Sequence, residues 1–422
     1  MIRQKLVLLA TYSVYPATYG GPVRVLNLLR HLSKWYDVTV LSYDCHAKSA
    51  SRQTLAPGFE VRTFPAADGD MRHLLYLMEQ SRGLFFHDIL CASDYTFSQD
   101  FLAAVKEKVL TADIIVVEQP YFMPLVEQVR SRHQIVVNGS QNCEFDLKIK
   151  SYAPGKAEVS SRILRMVHDV EASSFALSDL DICVSEEDRH RLSSEYGVPA
   201  SSIHLVPNCT DCSLLYPANS DERQRNKAAL GLDGRPVGIF LGSGYAPNII
   251  ALRAITSALR NFRRDFVLLV VGSIGDHVRQ EEFRSLTNCV FMGYVGDAEK
   301  RTLLATADVA LHMITEGSGT NLKLFDYMAA GLPVIANSLG ARGVPGAEDM
   351  FVHAEDGEAL PTVLQNLLND PAARDMHGAA ARRVAEEQFD WSVAARTLRE
   401  LLMGQGGTSI PDRQLVAIAD QA

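Results

Sequence analysis

Residues 315–336 join a glycine-bearing loop, a short helix and a buried strand in an order that suits anion binding. Gly317 and Gly319 leave backbone N–H groups uncovered where the helix is predicted to begin. These groups and the positive end of the helix dipole favour a phosphate. Lys323 adds a positive charge about one turn into the helix, and Asp326 lies on a neighbouring part of its surface. The segment therefore predicts a site for a ligand that carries both phosphates and hydroxyls, such as a nucleotide sugar.

The same residues carry a family resemblance. Gly317 to Asp326 follow the pattern Gly-x-Gly-Thr-x-Leu-Lys-x-Leu-Glu/Asp, and Ala-Ala-Gly-x-Pro-Val comes next in register. This segment resembles the donor-binding segment of retaining glycosyltransferases of the GT-B fold, in the large family usually numbered four. The competing interpretation is an ordinary strand-to-helix turn of a doubly wound sheet. The length of the match favours the donor site.

The resemblance implies roles for these residues. Glu316 would bind the hydroxyls of the sugar at the catalytic centre, and Asp326 would bind the ribose hydroxyls of the nucleotide. The donor-binding residues predicted in the second half are Ser243, Gly317, Ser318, Gly319, Thr320, Asn321, Lys323 and Asp326. No metal and no cofactor are expected, because helix N-termini and Lys323 can stabilise the leaving diphosphate.

Other segments extend the resemblance over most of the chain. Ser185–Asp188 and Val206–Asp211 are similar to two motifs near the end of the family's first domain. Phe240–Asn248 looks like the strand and loop that open its second domain. Phe291–Tyr294 looks like a later turn where a nucleotide base often stacks, and Phe389–Trp391 resembles the segment before the family's final helix.

The pattern of short apolar strands alternating with helices predicts an α/β fold with two Rossmann-like domains, each with a parallel sheet. The resemblance to GT-B enzymes implies that the two sheets face a central cleft. We expect an acceptor-side domain over residues 1–215 and a nucleotide-sugar-binding domain over residues 216–392. The polar stretch Tyr216–Arg225 is the predicted linker. A last helix over residues 393–403 would cross back to the first domain, and residues 404–422 are expected to be mobile.

Three places in the first half are predicted to face the ligand. Gly20 and Gly21 lie between the first strand and the first helix, where a backbone can approach a donor phosphate; a plain tight turn is the alternative. Glu118 follows a buried strand at the end where open α/β sheets bind ligands, and it is the second catalytic candidate. Asn142 and Glu144 are assigned to the acceptor side. Helix capping and dipole compensation explain Glu118, Asn142 and Glu144 about equally well.

The chain also departs from the family pattern. Many relatives have a histidine near Glu118, and the branch resembled here reads His-Asn-x-Glu where this chain has Gln141. Relatives usually place an Arg and a Lys soon after the first strand of the second domain, but residues 243–248 contain no basic residue. Lys323 is therefore expected to carry more of the diphosphate charge.

Composition excludes several other functions. The formal net charge of −9 argues against non-specific nucleic-acid binding. Seven cysteines, an odd number in a long chain, are typical of reduced thiols in a cytoplasmic protein. Asp68-Gly-Asp70 has the spacing of a metal-binding Asp-x-Asp, but its polar surroundings favour an exposed turn. If a membrane is involved, we expect peripheral contact rather than a crossing.

These observations predict a retaining, metal-independent hexosyltransferase-type enzyme that moves a sugar from a nucleotide-diphosphate sugar to an acceptor hydroxyl. The acceptor would be a glycan, a lipid-linked sugar or a small molecule, in glycan or polysaccharide biosynthesis. Two alternatives remain open. One is a sugar-nucleotide epimerase of the same architecture. The other is a non-catalytic sugar-nucleotide-binding partner in a polysaccharide assembly complex, which the missing histidine and basic pair would explain.

Overall fold

The computed structural model describes residues 3–81, 83–152, 158–284, 288–315 and 320–405. Four of the predicted donor-site residues, Glu316, Gly317, Ser318 and Gly319, lie outside the described residues. So does most of the predicted mobile tail, residues 406–422, while Gly404 and Gln405 belong to the last helix.

Two sheets organise the described residues. The first has eight strands in the order β3-β4-β2-β1-β5-β6-β7-β8. Its strands are β1 Lys5–Ala10, β2 Asp37–Asp44, β3 Ser51–Ala56, β4 Phe59–Pro65, β5 Ile114–Glu118, β6 Ile135–Gly139, β7 Leu180–Cys183 and β8 Ile203–Leu205. All neighbours are parallel except β3, which pairs with β4 as an antiparallel edge strand.

Helices cover both faces of this sheet, as parallel strands require. They are α1 Gly20–Leu32, α2 Asp68–Gln80, α3 His87–Leu90, α4 Gln99–Val109, α5 Met123–Val129, α6 Glu144–Tyr152, α7 Glu158–Leu177 and α8 Glu186–Tyr196. Side chains of β1 point alternately to the two sides, so Leu6 and Leu8 join one hydrophobic core while Val7 and Leu9 join the other.

The second sheet has six parallel strands in the order β11-β10-β9-β12-β13-β14. They are β9 Val237–Leu241, β10 Val267–Val271, β11 Cys289–Gly293, β12 Val309–His312, β13 Val334–Ala336 and β14 Val352–His353. Its helices are α9 Ser220–Ala229, α10 Ala246–Ala258, α11 Gln280–Arg284, α12 Asp297–Thr306, α13 Leu322–Ala329, α14 Ala347–Met350, α15 Leu360–Asn369, α16 Pro371–Gln388 and α17 Trp391–Gln405. The predicted fold class, two parallel-sheet α/β units, is confirmed.

The chain passes between the two sheets twice. After β8 it runs through Val206–Cys212 towards α9, and it returns through Phe389–Trp391 into α17. Helix α17 packs against α1 of the first half. The Arg399 guanidinium lies over the Trp35 ring at 5.0 Å. The stretch predicted as a linker is helical from Ser220 onward, because Asn219 caps α9 by accepting a hydrogen bond from the backbone N–H of Glu222.

The expectation of an exposed turn at Asp68 and Asp70 is wrong. Both residues begin α2, and Asp70 is buried. Its carboxylate accepts hydrogen bonds from the Tyr43 hydroxyl at 2.6 Å, from the backbone N–H of Phe97 at 3.0 Å, and from both the N–H and the hydroxyl of Thr96. The carboxylate therefore ties β2 to the loop before α4, which is a structural role.

This arrangement predicts unequal effects of two substitutions on stability. Asp70→Ala should lower the stability of the N-terminal half by about 3 kcal/mol, because several buried donors lose their charged acceptor. Asp68→Ala removes an exposed first-turn acid and should cost less than about 1 kcal/mol. Thermal unfolding followed by circular dichroism measures both. Equal midpoints for the two variants would show that Asp70 is dispensable.

Candidate functional site

A cavity of about 440 Å³ opens where the carboxyl ends of strands from both sheets meet. Residues from the first half line one wall, and residues that follow β9, β10, β11 and the segment before α13 line the other. The predicted site residues in its lining are Gly20, Gly21, Asn142, Ser243, Thr320, Asn321, Lys323 and Asp326. The cavity thus gathers side chains that are far apart in sequence at one edge of each sheet.

Lys323 lies in the first turn of α13 and is half-buried beside Phe240 of β9. Its ammonium group donates a hydrogen bond to the side-chain oxygen of Asn248 and lies 5.3 Å from the centre of the Phe240 ring. The amide nitrogen of Asn248 in turn donates to the Ser243 hydroxyl at 3.0 Å. Burial lowers the pKa of the Lys323 ammonium from its ordinary value to about 7. Among the described residues the hydrogen-bond partner of this half-buried cation is a neutral amide, which leaves its charge available to an anion.

The base of α13 is fixed by Tyr327. This fully buried side chain accepts a hydrogen bond from the backbone N–H of Leu241 at 2.6 Å, at the end of β9. His312, the last residue of β12, packs beside it with ring centres 6.0 Å apart. Burial and the neighbouring Lys323 hold the pKa of His312 well below its ordinary value, so its ring is neutral near pH 7. Lys323 is therefore held on a rigid surface.

Asp326 has two protein partners. Its Oδ1 accepts a hydrogen bond from the Thr210 hydroxyl at 2.7 Å, and its Oδ2 lies 3.2 Å from the ammonium of Lys300 on α12. The carboxylate of Asp326 raises the pKa of Lys300. Lys300 also lines the cavity, so it provides a second positive charge beside Lys323. Each carboxylate oxygen has further acceptor capacity, which leaves Asp326 able to bind a ligand hydroxyl.

Two glycines bring the loops after β9 and β10 into contact. Gly272 adopts a positive φ of 111°, and a Cβ there would lie 2.2 Å from the carbonyl oxygen of Gly242. Both glycines line the cavity. A side chain at Gly272 would push the loops apart, so glycine keeps this part of the wall made of backbone.

The facing wall begins with α1. Gly20 and Gly21 form its first turn rather than a separate loop, and no side chain caps the backbone N–H groups there. A Cβ on Gly20 would lie 3.4 Å from the Leu322 side chain at the start of α13, so the first turns of the two helices lie close together. A Cβ on Gly21 would lie 3.1 Å from the Tyr12 hydroxyl. The small residues keep both helix N-termini accessible to an anion.

Glu118 ends β5 and lies behind Gln141. The Gln141 amide lines the cavity and donates hydrogen bonds to the Glu118 carboxylate and to the Tyr12 hydroxyl, the latter at 3.0 Å. Burial raises the pKa of Glu118. The next residue, Gln119, has a positive φ of 67°, which is uncommon for a residue with a side chain and recurs at functional sites. The catalytic role of Glu118 stays a prediction.

The two residues assigned to the acceptor side differ in their surroundings. Asn142 lines the cavity, whereas Glu144 is buried in the first turn of α6. The Glu144 carboxylate accepts a hydrogen bond from the Tyr121 hydroxyl at 2.7 Å, and its backbone N–H donates to Glu171 at 2.8 Å. Burial raises the pKa of Glu144 and that of Glu171, the latter to about 7. Glu144 supports the wall from behind.

Sequence reasoning missed several cavity residues. Lys300 lies in a helix with no motif of its own, and only its position after the turn at Gly293 and Tyr294 hinted at its role. Tyr19, Tyr245 and Tyr294 are exposed and line the cavity; Tyr245 and Tyr294 belong to segments that resemble the family, but neither was assigned as a site residue. Asn208 lines the cavity too, and it belongs to the segment after β8 that resembled the family.

Comparisons with known proteins agree with this geometry. Residues 235–370 match the family model described as Glycosyl transferases group 1. A GDP-mannose-dependent monoacylated alpha-(1-6)-phosphatidylinositol monomannoside mannosyltransferase of Corynebacterium glutamicum is 28% identical over 239 residues, which cover 53% of this chain and 61% of that relative. The chain spans about three fifths of the length of the curated relatives it matches.

Solved structures share the whole architecture. Sucrose-phosphate synthase from Thermosynechococcus elongatus is similar over 95% of this chain and 99% of that chain, with a TM-score of 0.72 and 17% identity. Anabaena Alr3699/HepE in complex with UDP and glucose is similar over 94% and 99%, with a TM-score of 0.66 and 15% identity. The predicted GT-B fold and the resemblance to group 1 glycosyltransferases are confirmed.

The half-buried ammonium of Lys323 predicts a pH dependence of ligand binding. A bound diphosphate would raise the pKa of Lys323 above its value of about 7 in the free protein. Between the two pKa values binding takes up a proton, so affinity should fall by up to about tenfold for each pH unit above 7. Calorimetric titration with UDP and GDP at pH 7 to 9, in buffers of different ionisation enthalpy, measures affinity and proton uptake.

The control is Lys323→Met, which keeps the apolar stem and removes the titrating group. The phosphate groups of the nucleotide are essentially deprotonated above pH 7, and the His312 ring is neutral there. If Lys323→Met shows the same pH slope as the natural protein, another group takes up the proton.

Proposed function

We propose that this protein is a retaining glycosyltransferase that transfers a sugar from a nucleotide-diphosphate sugar to an acceptor hydroxyl in glycan or glycolipid biosynthesis. The observation that carries the proposal is the cavity between the sheets, where Lys323 and Lys300 supply positive charge next to Asp326. A diphosphate needs the cations and a ribose or sugar needs the carboxylate. The solved structure of Anabaena Alr3699/HepE with UDP and glucose supports the same ligand class for this fold.

In this proposal the diphosphate lies between the N-termini of α1 and α13, near Lys323 and the Ser243 hydroxyl. Asp326 accepts hydrogen bonds from the ribose hydroxyls. The exposed ring of Tyr294, which follows Gly293 at the end of β11, stacks on the nucleotide base. Lys300 supplies part of the positive charge that relatives obtain from an Arg and a Lys after the strand that corresponds to β9. Glu316 and Gly317–Gly319 are proposed as sugar and phosphate contacts on the basis of the sequence.

The acceptor would enter from the wall formed by the first half, past Asn142. Its oxygen bonds to the anomeric carbon while the bond from that carbon to the diphosphate oxygen breaks. The departing diphosphate oxygen takes the acceptor's proton, so retention needs no enzyme nucleophile. Lys323 stabilises the negative charge that grows on the diphosphate, which is the role a metal has in other transferases. Glu118 would act through Gln141, because that amide separates it from the cavity.

We also propose a lipid-linked acceptor and peripheral contact with a membrane on its cytoplasmic side. The relative from Corynebacterium glutamicum is named for a phosphatidylinositol acceptor. Among the described residues, no helix has the length and apolar character that a membrane crossing requires. Leu75 and Tyr76 on α2 are both 58% exposed, and Phe85 follows in the loop to α3. We propose that these exposed side chains act together as an apolar patch that enters a lipid surface.

The function is tested by a thermal-shift screen of UDP-, GDP-, ADP- and TDP-sugars, followed by turnover with sugar acceptors and by NMR of the product anomer. A stabilising donor, transfer with retained configuration and full activity in chelator are expected. Binding without transfer would favour a non-catalytic partner, and a changed donor sugar without acceptor would favour an epimerase. Inverted product, or loss of activity in chelator with rescue by a divalent ion, would contradict the mechanism.

Two matched variants locate the diphosphate. Lys323→Met should lower kcat/KM by about 100-fold or more, the scale for removing one preorganised charge-stabilising group. Arg253→Met should change it less than about twofold, because Arg253 is exposed on α10 and pairs with Glu282 at 3.4 Å. Steady-state kinetics with the nucleotide sugar identified in the screen measure kcat/KM for both variants. Equal losses would remove Lys323 from its proposed place.

Membrane contact is tested with the patch on α2. Leu75→Glu with Tyr76→Glu should lower binding to phospholipid vesicles by about tenfold or more, since two apolar side chains no longer leave water. Met376→Glu, at a residue that is also exposed on α16, should leave binding unchanged. Vesicle co-sedimentation measures the bound fraction. Equal binding by all three proteins would exclude this patch.

A further inference from the structure

The two passages of the chain between the sheets are joined to each other beneath the cavity. The crossing segment, Val206–Cys212, and the return segment, Phe389–Trp391, form a short parallel bridge. The backbone N–H of Thr210 donates to the carbonyl of Phe389 at 2.9 Å, and the N–H of Trp391 donates to the carbonyl of Thr210 at 3.1 Å. Any relative movement of the two halves must bend or twist this bridge.

Side chains of the two segments contact α13 and Thr320, which lies two residues before that helix begins. The Thr210 hydroxyl donates to Asp326 Oδ1 at 2.7 Å, and the Asn208 amide donates to the Thr320 hydroxyl at 2.8 Å. Phe389 stacks on Phe325 with ring centres 4.6 Å apart. Thr320 and Asp326 therefore take their positions partly from the chain crossings and not only from α13 itself.

The crossing segment is also held by the opposite wall. Arg24, buried in the second turn of α1, donates from its two terminal nitrogens to the carbonyls of Pro207 and Val206, each at 2.8 Å. It also donates to the side-chain oxygen of Asn208 at 3.3 Å. This contact fixes the orientation of the Asn208 amide, because its oxygen faces Arg24 and its nitrogen faces Thr320.

We propose that Thr210 and Asn208 are positioning residues of the donor site, which hold Asp326 and Thr320 in the geometry that receives the ligand and couple that geometry to α1 through Arg24. The ligand part of this proposal rests on the function proposed above. Thr210 matters because Lys300 competes for the same carboxylate at 3.2 Å. With the Thr210 hydroxyl on one oxygen and Lys300 on the other, the Asp326 carboxylate is held from both sides. Without that hydroxyl it can turn towards Lys300.

The test compares Thr210→Val, which removes only the hydroxyl, with Thr210→Ser, which restores it. Thr210→Val should weaken binding of UDP or GDP, whichever binds the natural protein, by about tenfold, and Thr210→Ser should return affinity to within about twofold. Thr256→Val is the matched control. It removes a buried hydroxyl that bonds to the Leu252 carbonyl inside α10, so it should leave affinity unchanged even if it lowers stability.

A double substitution tests whether Thr210 acts through the Asp326 carboxylate or only by making the crossing segment more rigid. In an Asp326→Ala background, Thr210→Val should cost less than about twofold, because the hydroxyl acts through that carboxylate. The idea is overturned by unchanged affinity in Thr210→Val, by failure of Thr210→Ser to restore it, or by a full tenfold cost without Asp326.

Hydrogen exchange on the ligand-free protein gives an arm that is independent of the proposed function. Thr210→Val and Asn208→Ala should speed amide exchange at residues 320–330 and leave β9 and β12 unchanged. If the natural protein binds no nucleoside diphosphate, the proposed function fails while this measurement still decides the positioning role. Unchanged exchange at residues 320–330 would refute it.

Discussion

A half-buried ammonium group that hydrogen-bonds a neutral amide is the constraint on which the site depends. Lys323 loses part of its hydration in the cavity wall and receives no carboxylate contact among the described residues, and this burial lowers its pKa to about 7. Such a group is costly unless an anion compensates it. The rest of the fold holds it in place, since Tyr327 fixes α13 to β9 and Asn248 fixes the loop that follows β9. The positive charge of Lys323 thus suits the diphosphate that we propose as its ligand.

Much of the fold could be predicted because its determinants are local. Buried parallel strands such as β1, β5, β9 and β10 are continuous apolar runs, so the alternation of apolar strands and helices predicts the parallel sheets. The edge strand β3, Ser-Arg-Gln-Thr-Leu-Ala, lacks such a run because it is held by backbone pairing with β4 and not by burial. The segment after residue 219 was predicted to be a linker because α9 is polar on nearly all sides. Asn219, a residue type that favours the N-terminal cap of a helix, was the signal that α9 begins there.

The site was predictable where one segment carried the chemistry and not where the fold assembled it. Lys323 and Asp326 share one helix, so their spacing alone brought them together. Lys300 meets Asp326 only because β11, β10, β9 and β12 are ordered as they are, and no local pattern encodes that contact. The prediction for Asp70 was wrong for the same reason. Its polar surroundings in sequence favoured an exposed turn, whereas the fold brings it hydrogen-bond donors from Tyr43, Thr96 and Phe97.

The position of the chain crossings follows from the same topology. Ligands bind at the carboxyl ends of parallel strands, and β8 also ends at that edge of the first sheet, so the chain leaves for the second half beside the cavity. The return before α17 meets it there and forms the bridge at Thr210 and Asp390. The crossing and return segments therefore lie in contact with residues of the candidate site. Asp326 contacts both Lys300 and Thr210, so its carboxylate belongs at once to the candidate site and to the contact between the chain crossing and α13.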